Sequence, residues 1–445
     1  MRASRPPLRR AALALASTAL AALSVIGVTG AHAQSQTLPE LQALAAREQP
    51  ALLKTLQQLV EIESGSSDRA GLDKIAGVIA QRLRELGGQV ELIDPHKTIA
   101  APSSDAGDGP APVGQMVKAS FKGSAANGKK VLLIAHMDTV YQRGGLQQQP
   151  FRIEGNRVYG LGIADDKQGV ATIIHLLALL KSTGFSDYGQ ITVLINGDEE
   201  IGSPGAHATI TKLGGEHDAV LSFEGGGGPN GADALRLATS GIASVDLKVK
   251  GRSSHAGAAP ERGVNALDEM SFQIMQLRDL SDPKNGKQLH WTLAKAGSVR
   301  NAIPAEAVAQ GDARADRMAD FDGMEAELRK RIQTKLLPES EVTLAFRRGR
   351  PPLQASEASR ALGAKVKALA EEQKLELVVR DRPTGGGTDA AYAALATQAP
   401  VIEGMGVRGF GAHSSDSEYV VLDGIAPKLL LATRLVMAIG SGKAL

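Results

Sequence analysis

The 445-residue sequence predicts an α/β protein, with a sheet covered by helices on both faces and a second, inserted α+β unit. Three observations lead there. Short apolar runs at 131–135, 191–195 and 220–223 alternate with helical patterns, among them GVATIIHLLALL at 169–180. Near Ser240 the texture changes to IASVDLKVKG, which alternates apolar and polar as a strand with one exposed face does. After Pro351-Pro352 the α/β texture returns.

In chain order, residues 1–33 stand apart. Arg2, Arg5, Arg9 and Arg10 give a positive start, and an apolar run extends from Ala11 to about Val28. Ala31-His32-Ala33 then offers small residues for cleavage before Gln34. This is the pattern of a secretory signal peptide. A membrane anchor is the alternative for the same run, which is alanine-rich and marginal in length for a span. Residues 39–87 carry helical spacing: Leu52, Leu53, Leu56, Leu59 and Val60 share one face, and Ile75, Val78, Ile79 and Leu83 another. The stretch 101–114, APSSDAGDGPAPVG, is a polar loop. The three apolar runs follow. Beyond Ser240 come helical patterns at about 263–279 and 319–335, with strand-like stretches near 291–300, 306–314 and 341–347. The expected division is a signal peptide at 1–33 and a larger domain in two pieces, 34–240 and 351–445, around an inserted domain at 241–350.

Apolar residues make up 43% of the chain and charged residues 22%, as in an ordinary globular protein of two or three domains. Aromatics are only 3%, which argues against stacking surfaces for single-stranded nucleic acid. Loss of residues 1–33 removes four arginines and no acid, turning the formal charge from +2 to −2. The basicity therefore belongs to the leader, and no nucleic-acid partner is expected. There is no cysteine, so an exported chain would be held by its core or by bound ions rather than by disulfides. The expected location is secreted or periplasmic, with no stable membrane association after signal cleavage.

Each of the three apolar runs ends in side chains that bind metals: His136-Met137-Asp138, then Asp198-Glu199-Glu200, then Glu224. Ligands of open α/β sheets bind beyond the carboxyl ends of the strands. Asp165-Asp166, in GLGIADDKQG before the 169–180 helix, adds a fourth acidic cluster. Carboxylates converging on one crevice repel one another unless divalent cations lie among them. Imidazole and carboxylate without thiolate suit zinc, with manganese or cobalt as lesser options. His136 and Asp138 point to the same side of a strand, so Asp138 can accept the imidazole's second N–H and fix its tautomer. Each feature alone has a bland reading. An H-x-D at a strand end arises by chance, Glu199-Glu200 is a solvated turn, and Asp165-Asp166 is a helix cap. Their joint placement at strand ends favours the metal reading. His175 lies on the apolar helix and reads as core, while His96, His207, His217 and His290 lie in polar or loop-like contexts.

AHMDTV, GIADDKQG, NGDEEIGS, LSFEG and GRSSHAGAAPERGVNAL, with the later TGGGTDAAYAAL and GFGAHSSDSEYV, resemble the M20 metallopeptidases. The likeness is greatest to their glutamate carboxypeptidases and runs from about residue 45 to the end. It implies a zinc-exopeptidase-like catalytic domain, a mixed sheet flanked by helices, with 241–350 as a lid and dimerisation domain. It implies two zinc ions per subunit, about 3.5–4 Å apart. By motif, His136 and Glu224 hold one, Glu200 and His413 the other, and Asp165 bridges them through a cis peptide to Asp166. Glu199 falls at the general-base position, and Asp138, which orients His136, counts with it as catalytic. His255 resembles a histidine that crosses a homodimer interface to stabilise the oxyanion in the partner's site. Asn301 and Arg314 match substrate contacts, Arg350 a carboxylate clamp, and Gly386, in the Gly385-Gly386-Gly387 loop, a backbone contact. The implied activity is a secreted zinc-dependent exopeptidase that cleaves the amide bond before a C-terminal residue. Glutamate is favoured, in peptides or folate-like N-acyl glutamates. One departure bears on this: Ala234 and Arg236 stand about where glutamate-specific relatives carry a lysine and a serine. A broader aminoacylase or dipeptidase is the alternative within the family. A non-catalytic carboxylate-binding protein is the alternative outside it.

Overall fold

The computed structural model describes residues 36–95, 113–228, 231–414 and 416–444. The expected signal peptide, His96 and most of the 101–114 loop lie outside them. The first helix, Leu38–Val60, begins after Thr37, whose main-chain N–H donates to Glu40 Oε2 at 2.8 Å. Leu52, Leu56, Leu59 and Val60 are buried on one face, with Leu53 packed at its margin. Burying each such side chain is worth about 1.5–3 kcal/mol. The second helix, Arg69–Glu85, is capped by Asp68, which accepts from Gly71 N at 3.0 Å. It buries Ile75, Ile79 and Leu83.

An eight-stranded mixed sheet forms the centre. Across it run Gln89–Ile93, Met116–Lys122, Gln190–Asn196, Lys130–His136, Ala219–Ser222, Val401–Glu403, Asp233–Arg236 and Leu377–Arg380. The strands Gln190–Asn196 and Ala219–Ser222 flank Lys130–His136, both parallel to it. The crossover from Lys130–His136 to Gln190–Asn196 includes the helix Gln168–Thr183, whose Val170, Ile173 and Leu176 enter the core. The three apolar runs of the sequence are thus three neighbouring parallel strands, each buried on both faces.

The inserted segment builds its own antiparallel sheet, in the order Lys287–Ala296, Glu306–Ala315, Gly241–Lys250 and Glu341–Arg348. Along Gly241–Lys250 every second residue is buried, as the alternating sequence requires. Val245, Leu247 and Val249 pack with Leu277, Phe321, Met324 and Leu328 from the helices Ala266–Leu277 and Met318–Arg331.

A third, small sheet joins Arg152–Glu154 and Arg157–Tyr159 to Gly409–Phe410 and Tyr419–Val421. Nothing in the periodicity announces it. Its strands are two or three residues long, too short to show a period. It ties the 409–421 stretch beside the chain that leads into Asp165.

Candidate metal centre and active-site cleft

The parallel pairing sets the site. His136 pairs with Asn196, and Ile134 with Ser222, so all three strands end at one edge. His136 is 1% exposed. Its Nδ1 lies 3.2 Å from Asp138 Oδ1, and its Nε2 lies 3.0 Å from Asp165 Oδ1 and 3.4 Å from Glu224 Oε1. On the other side His413 Nε2 lies 3.3 Å from Asp165 Oδ2 and 3.1 Å from Glu200 Oε2. Asp165 therefore turns one oxygen to each imidazole. Its peptide bond to Asp166 is cis. Possible ligand atoms gather in two groups, His136 with Glu199 and Glu224, and Asp165 with Glu200 and His413, each within 4.8 Å.

The electrostatics fit a cation site. Burial pushes Glu224 up to about 7, with the Asp165 carboxylate adding to it against the pull of His136. Burial likewise drives Glu199 well above the usual carboxylate range, opposed by Arg350 and His136. For Asp165 burial also opposes ionisation, but hydrogen bonds from both imidazoles outweigh it and hold the carboxyl well below its ordinary value. His413 is raised to about 10 by its bonds to Asp165 and Glu200. Carboxylates crowded this closely, with imidazole nitrogens between them and no thiolate, form a donor set that fits divalent zinc.

Two further carboxylates hold the frame. Asp138, fully buried, accepts the main-chain N–H groups of Glu199 and Glu200, each at 3.1 Å, and the Ser66 hydroxyl at 2.8 Å. It orients the imidazole and also the Glu199–Ile201 turn. Glu418, also buried, accepts from the N–H of Gly162 at 2.9 Å, Ala164 at 2.8 Å and Asp165 at 3.2 Å, and from the Tyr141 hydroxyl at 2.6 Å. Sequence reasoning gave Glu418 no role. Five residues after His413, it joins the His413 loop to the Asp165 loop, and no local spacing signals that.

A cavity of about 430 Å³ opens over these groups, lined by Asp165, Glu199, Glu200, Glu224 and His413 together with Ile242, Arg314, Arg350 and Gly386. Arg314 is held by both oxygens of Asp312 and donates to Gly385 O at 3.2 Å. Arg350 is buried, with Nη1 at 2.7 Å from Glu199 Oε1. His255 and Asn301 do not line this cavity. Both lie on the exposed surface of the inserted segment, joined by Ala256 N–H donating to Asn301 O at 2.9 Å. His255 Nδ1 accepts from Gly257 N at 3.1 Å and Ala258 N at 3.0 Å, which leaves the ring proton on Nε2. Of the other histidines, His175 is a core residue between Thr55 and Glu48. His217 is buried against Leu213 O and Thr192 Oγ1.

Imidazole and carboxylate groups at the carboxyl edge of a mixed sheet, beneath a cleft, define a metal-dependent hydrolase. The chain belongs to peptidase family M20/M25/M40, whose family model matches residues 132–438. It is 44% identical over 441 residues to carboxypeptidase G2 of Pseudomonas sp. (strain RS-16), covering 99% of this chain and 100% of that protein. Among solved structures, a tripeptidase from Staphylococcus aureus aligns with TM-score 0.72 at 18% identity, over 89% of this chain and 98% of that one. An M20 family metallo-carboxypeptidase from Sulfolobus solfataricus aligns with TM-score 0.68 at 15% identity, over 87% and 99%. The protein is thus an enzyme, a hydrolase, which removes the reading as a non-catalytic binder.

Proposed function

We propose that this enzyme is a secreted or periplasmic zinc-dependent carboxypeptidase that hydrolyses the amide bond before a C-terminal residue, with glutamate favoured. His136, Asp165 and Glu224 would hold one zinc ion, and Asp165, Glu200 and His413 a second. Such ions supply Lewis acidity and draw the pKa of water towards neutrality. Glu199 takes the proton of the attacking water as its oxygen bonds to the scissile carbonyl carbon. It then returns that proton to the departing amine nitrogen as the C–N bond breaks. Arg314 and the Gly386 backbone face the carboxylated end of the substrate. His255 and Asn301, exposed and away from their own cavity, serve the cleft of a second copy, with Nε2–H of His255 donating to the oxyanion. A homodimer through the 241–350 domain fits this. Lys287–Ala296 is an edge strand, and Leu293 and Val299 near it are 63% and 59% exposed. Export rests on the charged, then apolar, 1–33 segment. No described helix is long and apolar enough to cross a membrane.

The observation that carries the reading is Asp165, one oxygen towards each histidine, with Glu199 beside it in an open cleft. The second reading, a broader aminoacylase or dipeptidase, draws on the strand Asp233–Arg236. Ala234 there is 1% exposed and Arg236 spends a guanidinium N–H on Gly225 O at 3.1 Å. A panel of N-acyl glutamate, leucine and alanine substrates on purified, metal-analysed protein separates them. A preference for glutamate supports the first reading, and equal rates support the second.

A further inference from the structure

We propose that Arg350 is a positioning residue that holds Glu199 by its side chain and main chain at once. The inference rests on the reading of Glu199 as proton carrier, and it moves Arg350 away from the substrate-carboxylate role that its motif suggests. Both terminal nitrogens of its guanidinium are already engaged. Nη1 lies 2.7 Å from Glu199 Oε1 and donates to Gly387 O at 3.3 Å, while Nη2 donates to Glu199 O at 2.6 Å. A substrate carboxylate would have to displace Glu199 to reach the same atoms. Behind the pair, Asp389 Oδ1 stands 3.7 Å from Nη2. Asp389 is fixed in turn by Asn196 Nδ2 at 2.8 Å and by the Ser203 hydroxyl. Asn196 ends the strand that delivers Glu199, so the network closes on the element it steadies. Burial works against the Arg350 charge, but the Glu199 and Asp389 carboxylates keep the guanidinium protonated.

The need for such a brace is local. Glu199 opens a three-residue turn that ends at Gly202, with φ 87°. Helical pairing does not immobilise a turn this short. Its N–H is anchored to Asp138 and its C=O to Arg350, and Arg350 also takes one carboxylate oxygen. Arg350 itself lies where the inserted segment rejoins the larger sheet, its C=O accepting from Ile242 N at 2.8 Å. A planar fork can grip a carboxylate and a carbonyl together, which an ammonium group does poorly.

The test is steady-state kinetics of Arg350→Met and Arg350→Lys in the metal-loaded enzyme, with the inhibition constant of free glutamate measured alongside. The expected result is a fall of kcat by about 10–100-fold, with KM and the glutamate inhibition constant within about twofold of the parent. In a Glu199→Gln background, Arg350→Met should cost no further kcat, because it acts through the group already lost. Arg314→Met should behave in the opposite way, raising KM. If Arg350→Met does not fold, Arg350→Lys carries the same comparison. A rise in KM and in the inhibition constant with kcat retained overturns the proposal, as does an additive loss in the Glu199→Gln background. An inactive parent enzyme would instead sink the carboxypeptidase reading.

Discussion

Asp138 and Glu199 are joined by a hydrogen bond of 3.1 Å from the Glu199 N–H to Asp138 Oδ1. The same oxygen faces His136 Nδ1 at 3.2 Å. One buried carboxylate thus orients both an imidazole of the candidate cation site and the turn that carries Glu199. Asp138→Asn keeps the shape and removes the charge. It should lower metal affinity by roughly 10–100-fold, read by competition with a chelator. Unchanged affinity would limit Asp138 to a packing role.

Glu199→Gln should leave metal content unchanged and reduce kcat by about 10²–10⁴-fold, the usual worth of a placed acid–base group. Metal analysis and turnover on one sample check both halves. Activity within a few-fold of the parent would take the proton-transfer role from Glu199.

His217 predicts a pH effect on stability away from the cleft. Its Nδ1 lies 2.7 Å from Leu213 O and its Nε2 2.7 Å from Thr192 Oγ1, a neutral tautomer at full hydrogen-bonding capacity. Burial pushes its pKa below the ordinary value. The unfolded chain therefore takes up the proton first as pH falls. The stabilisation is complete above the unfolded pKa of about 6.5 and drains away as pH drops through the folded value. His217→Gln should flatten the fall in Tm between about pH 7.5 and 5.5. An unchanged slope would assign that fall to other groups.

Subunit exchange tests the proposal that two copies share a cleft. His255→Ala and Glu199→Gln homodimers should each be nearly inactive. Mixing and re-equilibration should restore about a quarter of parental activity per site, since half of the chains are in hybrids and each hybrid keeps one intact cleft. No recovery in verified hybrids would confine His255 to its own subunit.

Much of this was legible in the sequence, for physical reasons. The parallel strands are buried on both faces, so 131–135, 191–195 and 220–223 stand out as apolar runs, and candidate ligands such as His136 and Glu224 stand out as polar residues at their ends. The alternation in IASVDLKVKG likewise follows from one covered face. The small third sheet was not legible, and His413 was reached by resemblance alone because its place depends on that sheet. Glu418 and Asp389 were missed because their work is tertiary: each fixes main chain or side chains far away in sequence, through bonds that no spacing encodes. Arg350 was legible as a candidate site residue, but its contact with Glu199 was not.

Anomalous diffraction from crystals of the native protein at the zinc edge tests the central claim most directly. Two peaks are expected, one among His136, Asp165 and Glu224 and one among Asp165, Glu200 and His413, with Asp165 within reach of both. A single peak, or metal bound away from Asp165, would contradict it.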